Sequence, residues 1–276
     1  MARRRKGSAE NDRPAAPARA DVPDRKGRAH VSARPGGGAA VICFDLAETL
    51  VSWKDAYEAA LREAMREWTA RLGDEAEAAR RVEDALRAYR HERKKGKAKS
   101  AAVRAAAAAL QGVDDERTAR MLALAARKLQ PSRARLAPGA EAALRALSGR
   151  YRLAIVTNTD AATAKELWSR LGLGRYIRES DIFTAENGLK KPQKRFFRAV
   201  AEKLGAAGSR CVMVGDSYRR DVAGALRAGW RAVWLCGGAA GGAAGKPRLK
   251  KASPSAAASS RLRVAASLDE LPRLFR

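Results

Sequence analysis

The stretch Ala40-Val41-Ile42-Cys43-Phe44-Asp45-Leu46-Ala47-Glu48-Thr49 decides the fold. An apolar run ends in a single carboxylate, a small residue follows, and a hydroxyl closes the segment. This pattern predicts a buried strand over 40–45 that opens into a polar loop carrying Asp45.

Three further stations follow downstream. A strand-like run over Tyr151–Val156 leads into Thr157-Asn158, Lys191 precedes Pro192, and Cys211–Val214 leads into Gly215-Asp216-Ser217, with Asp221 five residues on. Between them, strand-like and helix-like segments alternate. Helices are predicted over 139–147, 161–171, 192–204 (with Pro192 in its first turn), 221–228 and 268–275, and strands over 231–235 and 262–265. Alternation of this kind predicts a parallel sheet covered by helices. In such sheets ligands sit beyond the carboxyl ends of the strands, so Asp45, Thr157 and Asp216 are expected to share one pocket.

From Trp53 to about Leu129 the period is wholly helical. Tyr57, Leu61, Met65 and Trp68 recur at helix spacing. Gly73-Asp74, Gly96 and Gly112-Val113-Asp114 divide this region into four helices, with Asp114 expected to cap the last. The Leu, Met and Trp stripes read as packing. The expected organisation is therefore an α/β, Rossmann-like parallel-sheet core over 40–52 and 132–276, with a helical bundle inserted at 53–131. Residues 1–39, rich in Arg, Pro, Ala and Gly, are expected to be a disordered basic arm, and 237–260 a flexible low-complexity loop.

The chain of 276 residues carries a net charge of +26. That excess is concentrated: residues 1–39 hold ten Arg/Lys against four acids, and Gly237–Arg263 holds six basic residues and no acid. Such tails favour weak polyanion binding, although no aromatic residues interleave with the basic ones. No run is long and apolar enough for a membrane span, and no signal peptide is legible. Cys43, Cys211 and Cys236 show neither a disulfide framework nor a metal-binding pair. A cytoplasmic protein is expected.

The chemistry of the four stations is consistent. Asp45, Asp216 and Asp221 offer hard oxygen ligands for Mg²⁺, Lys191 offers a fixed positive charge, and Thr157 with its loop offers donors to a phosphoryl group. Each also has a plainer role. Asp45 and Asp216 suit turns, Thr157 a strand-end cap, Lys191 a solvated helix start, and Asp221 a helix N-terminus. His30 and His91 sit in the arm and on a charged helix face, so neither is expected to act as a base.

In order and residue type, these stations resemble the haloacid dehalogenase superfamily, whose members mostly cleave phosphate esters through an aspartyl-phosphate. The resemblance covers most of 40–235. It implies that Asp45 is the nucleophile, that Thr157 and Asn158 with Lys191 hold the phosphoryl group, and that Asp45, the Ala47 carbonyl, Asp216 and Asp221 hold Mg²⁺. It further implies that the helical insert is a cap selecting a small phosphorylated substrate.

At position 47 most phosphatases of that superfamily carry a second Asp as general acid and base, whereas this chain has Ala47. Glu48 accompanies that second Asp in the common motif, so it need not replace it. Three readings remain open. The chain is a phosphatase that is slow or takes good leaving groups such as acyl or aryl phosphates. Alternatively, it resembles the phosphonoacetaldehyde hydrolase branch, which has Ala there and a cap lysine forming a Schiff base, but departs from it at Glu48 and Ser52. In the third reading it is a non-catalytic phosphate-ligand or partner-binding protein. The dehalogenase branch has Tyr at this position, and Ala47 counts against it.

Overall fold

A computed structural model describes residues 41–111, 115–237 and 260–275. The expected arm 1–39 and nearly all of the expected loop 237–260 lie outside the described residues, as does Asp114.

Six parallel strands form the main sheet in the order β5-β4-β1-β6-β7-β8. They are β1 (Val41–Phe44), β4 (Arg152–Val156), β5 (Ile182–Phe183), β6 (Cys211–Gly215), β7 (Arg231–Leu235) and β8 (Leu262–Ala265). Strand β1 lies at the centre, in register with both β4 and β6 (Phe44 opposite Ile155 and Val214). Its four residues are all buried, as expected of a strand covered on both faces. One face packs Ile42, Phe44, Leu153, Ile155, Val212 and Val214 against α5 (Ala140–Ser148) and α6 (Ala161–Arg170). The opposite face packs Cys43, Ala154 and Met213 against α7 (Lys194–Lys203), α8 (Ala223–Arg227) and Trp230. A final short helix, α9 (Leu271–Leu274), closes the described chain.

The helical insert comprises α1 (Trp53–Thr69), α2 (Glu75–Lys94), α3 (Lys99–Gln111) and α4 (Glu116–Arg133). Its apolar residues, Tyr57, Leu61, Met65, Leu86 and Leu110 among them, form a cluster of their own, separate from both faces of the sheet. The stripes seen in the sequence are therefore packing. Short strands β2 (Val51–Ser52) and β3 (Arg135–Leu136) pair antiparallel at the point where the chain leaves and re-enters the α/β layer. Arg170 of α6 donates to the carbonyls of Pro131 and Ala134, tying the end of the insert to the core.

Four boundaries differ from expectation. Helix α4 runs two residues beyond 131 because Pro131 lies inside it. Its N-cap is Asp115, whose carboxylate accepts the N–H groups of Arg117 and Thr118. Pro192 does not open a helix. The Lys191–Pro192 bond is cis, Gln193 N–H donates to the Lys190 carbonyl at 2.9 Å to close a turn, and α7 begins at Lys194. The expected helix over 221–228 is a π-helical turn over Tyr218–Val222 running into α8. The edge strand β5 and the β2–β3 pair were not anticipated. At two residues each they are too short to show a period.

Candidate functional site

The site forms where parallel strands deliver polar residues to one edge of the sheet. Asp45 follows β1, Thr157 follows β4, Asp216 follows β6, and the loop between β5 and α7 brings Lys191 across to them. The Asp45 N–H donates to the Val214 carbonyl at 2.9 Å, so the β1–β6 ladder continues into Asp45.

Lys191 is the hub. Its ammonium lies 2.7 Å from Asp45 Oδ1 and 2.7 Å from Asp221 Oδ1, with its side chain only 1% exposed. It is therefore not a solvated helix-start lysine. Burial alone would push its ammonium down, but Asp45 and Asp221 together outweigh burial and hold it above the ordinary value. Its backbone is fixed by Asn158, whose amide donates to the Lys191 carbonyl (3.0 Å) and accepts the Lys191 N–H (2.9 Å). The Asn158 side chain is thus engaged in positioning Lys191 while also lining the cavity.

Asp221 is fully buried inside the π-helical turn, with Oδ2 accepting the Ser217 N–H at 2.9 Å. Such π turns are rare and frequent at functional sites. Gly215 makes room for it, since a Cβ there would sit 2.4 Å from Asp221 Oδ2. Gly224 in α8 has the matching role for the Lys191 turn, as its Cβ would meet the Phe197 ring at 2.6 Å and Pro192 Cα at 3.1 Å.

Asp216 completes a cluster in which Asp45, Asp216 and Asp221 each bring a carboxylate oxygen within 4.8 Å of the others. Asp216 Oδ1 is buried without a hydrogen-bond partner. Burial first, then the charges of Asp45 and Asp221, push its carboxyl up to about 7. Three carboxylates face one ammonium, so full ionisation leaves two negative charges uncompensated. A hard divalent cation is the chemistry that fits this donor set and the orphaned oxygen. Thr49, the hydroxyl that closes the Asp45 segment, is fully buried and accepts the Asp216 N–H at 3.2 Å.

A cavity of about 580 Å³ opens above these groups. Asp45, Ala47, Thr157, Asn158 and Lys191 line its base, and Arg220 faces it from the π-helical turn. The Thr157 hydroxyl donates to Thr159 Oγ1 at 3.0 Å and accepts the Thr159 N–H at 3.1 Å, shaping the loop. Trp53, Lys99, Arg127, Gln130 and Pro131 of the insert also line the cavity. Of these, Lys99 is one of four lysines between 94 and 99 to which the sequence gives no place, and Arg127 and Gln130 carry no signal in the sequence.

Glu48 faces the insert instead. Held at φ 64°, it accepts the N–H groups of Trp53 (2.9 Å) and Lys54 (2.7 Å) at the start of α1, and its carboxylate pairs with the Lys54 ammonium at 3.0 Å. It is a carboxylate at a helix N-terminus, stabilised by free N–H groups and the helix dipole.

Comparison with known proteins gives a consistent picture. The profile of the haloacid dehalogenase-like hydrolases matches residues 39–229. Pyrimidine 5'-nucleotidase YjjG of Escherichia coli is 34% identical over 99 residues, which is 36% of this chain and 44% of that protein. Phosphoserine phosphatase of Thermus thermophilus is 36% identical over 83 residues, 30% of this chain and 33% of that protein. Each of these matches spans less than half of the relative's length. Among solved structures, the magnesium-bound HAD-hydrolase YfnB of Bacillus subtilis superposes with a TM-score of 0.58 at 21% identity, covering 87% of this chain and 99% of that one. A HAD-superfamily hydrolase of subfamily IA from Geobacter sulfurreducens gives 0.56 at 17% identity, covering 89% and 100%. At such identities the likeness is one of fold.

Proposed function

Because this chain belongs to the haloacid dehalogenase-like hydrolase family, we propose that it is a Mg²⁺-dependent phosphatase of small phosphorylated metabolites, selective for good leaving groups. The observation that carries this reading is Lys191, buried and bonded at 2.7 Å to both Asp45 and Asp221 beneath a cavity that Thr157 also lines. The phosphatases among its relatives support the substrate class.

Asp45, Asp216 and the Ala47 carbonyl would hold the metal directly. Both oxygens of Asp221 are engaged, by Lys191 and by the Ser217 N–H, which suits an outer position through water. Bound there, Mg²⁺ would neutralise charge between the Asp45 carboxylate and the phosphoryl oxygens.

The Asp45 carboxylate attacks phosphorus, the bond to the leaving oxygen breaks, and that oxygen departs with the electron pair. Lys191 and the Thr157 loop hold the phosphoryl oxygens, and Asn158 keeps Lys191 in place. Water then attacks the phosphorus of the aspartyl-phosphate, the bond to Asp45 breaks, and the water's proton passes to solvent. The Ala47 methyl has no proton to give, and Glu48 is engaged at α1. A leaving group that departs as a stable anion, from an acyl or aryl phosphate, needs neither. The four helices of the insert serve as the cap. The unpaired Cys43, Cys211 and Cys236 suit a reducing compartment, and we place the protein in the cytoplasm.

The test is Mg²⁺-dependent phosphate release across aryl, acyl and alkyl phosphates. Release from the first two classes, lost in Asp45→Asn, supports the reading; release that is unchanged in that variant sinks it.

The position of Lys99 favours a second reading. Its ammonium stands 4.0 Å from the Tyr57 ring centroid at the cavity edge, and is held below its ordinary value by burial, then by Arg127 and Arg93. A cap amine of that kind suits an imine with a carbonyl substrate, as in C–P bond hydrolysis. Borohydride trapping of phosphonoacetaldehyde on Lys99 would establish it, and no adduct would exclude it.

A further inference from the structure

Helix α4 treats its arginines unequally. Arg120 pairs with Glu116 and Arg133 pairs with Glu63. Arg117 and Arg127 form no ion pair among the described residues, and of these four arginines it is Arg127 that lines the cavity. Lys99 and Arg220 line the same space, and among the described residues neither forms an ion pair, although Arg220 lies near enough to Asp216 to favour its charge. Among the described residues, two acids line the cavity. Asp45 is paired with Lys191, and Asp160 caps α6 by accepting the Thr163 N–H at 2.9 Å. Arg127 also stands close enough to Lys99 to disfavour its charge. Glu48 offsets that crowding only in part, because its carboxylate is bonded to the Lys54 ammonium and to the N–H groups that start α1, and crowded like charges favour an anion bound between them.

We infer that the substrate carries a second anionic group on its leaving half, a carboxylate or a second phosphate, seated on Arg127 and Lys99. This rests on the phosphatase reading for the position of the first phosphate over Asp45. Arginine suits the task, since its planar fork can meet either oxyanion bidentately. The placement also bears on Ala47. Cations beside the departing oxygen stabilise its developing charge where no side-chain acid can protonate it.

Three matched probes test this: ethyl phosphate, 2-phosphoglycolate (which adds a carboxylate) and ethylene glycol bisphosphate (which adds a phosphate). Wild type should prefer at least one doubly anionic probe over ethyl phosphate in kcat/KM by about tenfold or more. Arg127→Gln and Lys99→Gln should each collapse that ratio, mainly through KM. Arg120→Gln, on the same helix but away from the cavity, should leave it intact. The better doubly anionic probe tells carboxylate from phosphate. A ratio near one in wild type, or one that both cavity variants leave unchanged, overturns the inference. If none of these alkyl phosphates is turned over, which the leaving-group account allows, the phosphatase reading is decided separately by the aryl and acyl phosphates. The subsite is then decided by calorimetric titration of the same probes with Mg²⁺. Tighter binding of a doubly anionic probe, lost in Arg127→Gln, supports it, and equal binding of all three overturns it.

Discussion

The base of the cavity and its helical side are built on opposite electrostatic principles. At the base, Lys191, Asp45 and Asp221 are buried, Asp216 is half-buried, and each is assigned: Lys191 to Asp45 and Asp221, Asp221 also to the Ser217 N–H, and Asp216 to the cluster that suits a cation. On the helical side, Lys99 and Arg127 form no ion pair among the described residues, and they stand on an insert in which several other arginines are paired. The difference separates tasks. A base whose charges hold one another rigidly positions a reaction, whereas unpaired charges on an insert with its own apolar core are open to whatever ligand arrives.

The comparison breaks most sharply at Asp45. Asp45→Asn should lower turnover on the order of 10⁴-fold or more, measured as phosphate release, with the fold retained by circular dichroism. If the base is as tightly coupled as described, Lys191→Ala leaves Asp45 and Asp221 buried without their counter-charge. Thermal or urea unfolding should then show a loss of about 3–5 kcal/mol, partly restored by Mg²⁺. Ala47→Asp supplies the missing acid. It should raise alkyl phosphate turnover by roughly 10²–10⁴-fold while changing acyl phosphate turnover much less. A uniform gain across substrates would argue against the leaving-group account.

Asp216 sharpens the comparison through pH. Its carboxyl rises from an ordinary 3.8 to about 7 on folding. Below about 3.8 both folded and unfolded chains hold the proton and no penalty exists. As pH rises toward 7 the unfolded chain ionises more readily, so this group progressively destabilises the metal-free fold. Asp216→Asn should therefore raise the metal-free Tm at pH 8 and remove most of the stabilisation by Mg²⁺, both read by differential scanning calorimetry. The smallest effect is expected at Glu48. Glu48→Ala should cost about 1 kcal/mol by loosening the start of α1, with turnover largely kept. A collapse of activity there would instead identify Glu48 as the missing acid.

Legibility followed the same division. Asp45, Thr157 and Asp216 could be placed at one edge of the sheet from sequence because each ends a hydrophobic run, and parallel strands carry such residues to the same end; Asp45 and Thr157 line the cavity, and Asp216 joins Asp45 in the carboxylate cluster. Lys191 and Asp221 were named for their residue type and spacing, but their mutual bonding through a turn and a π-helical segment was not visible. Asn158 read as a phosphate donor, and the structure shows its side chain pinning Lys191. The cap of α4 moved from Asp114 to Asp115, since two adjacent aspartates before a helical run are equivalent on pattern alone.

By itself, then, the sequence determined the α/β order, the inserted helices, the residues at the strand ends and the alanine at 47, all of which depend on local periodicity and residue type. Only the tertiary structure decided that Glu48 serves helix α1, that Lys191 joins two carboxylates, and that Arg127 and Lys99, 28 positions apart, line one cavity with Asp45. Those facts depend on how separate helices and loops are oriented in space, and a one-dimensional pattern carries no record of which helix face meets which neighbour.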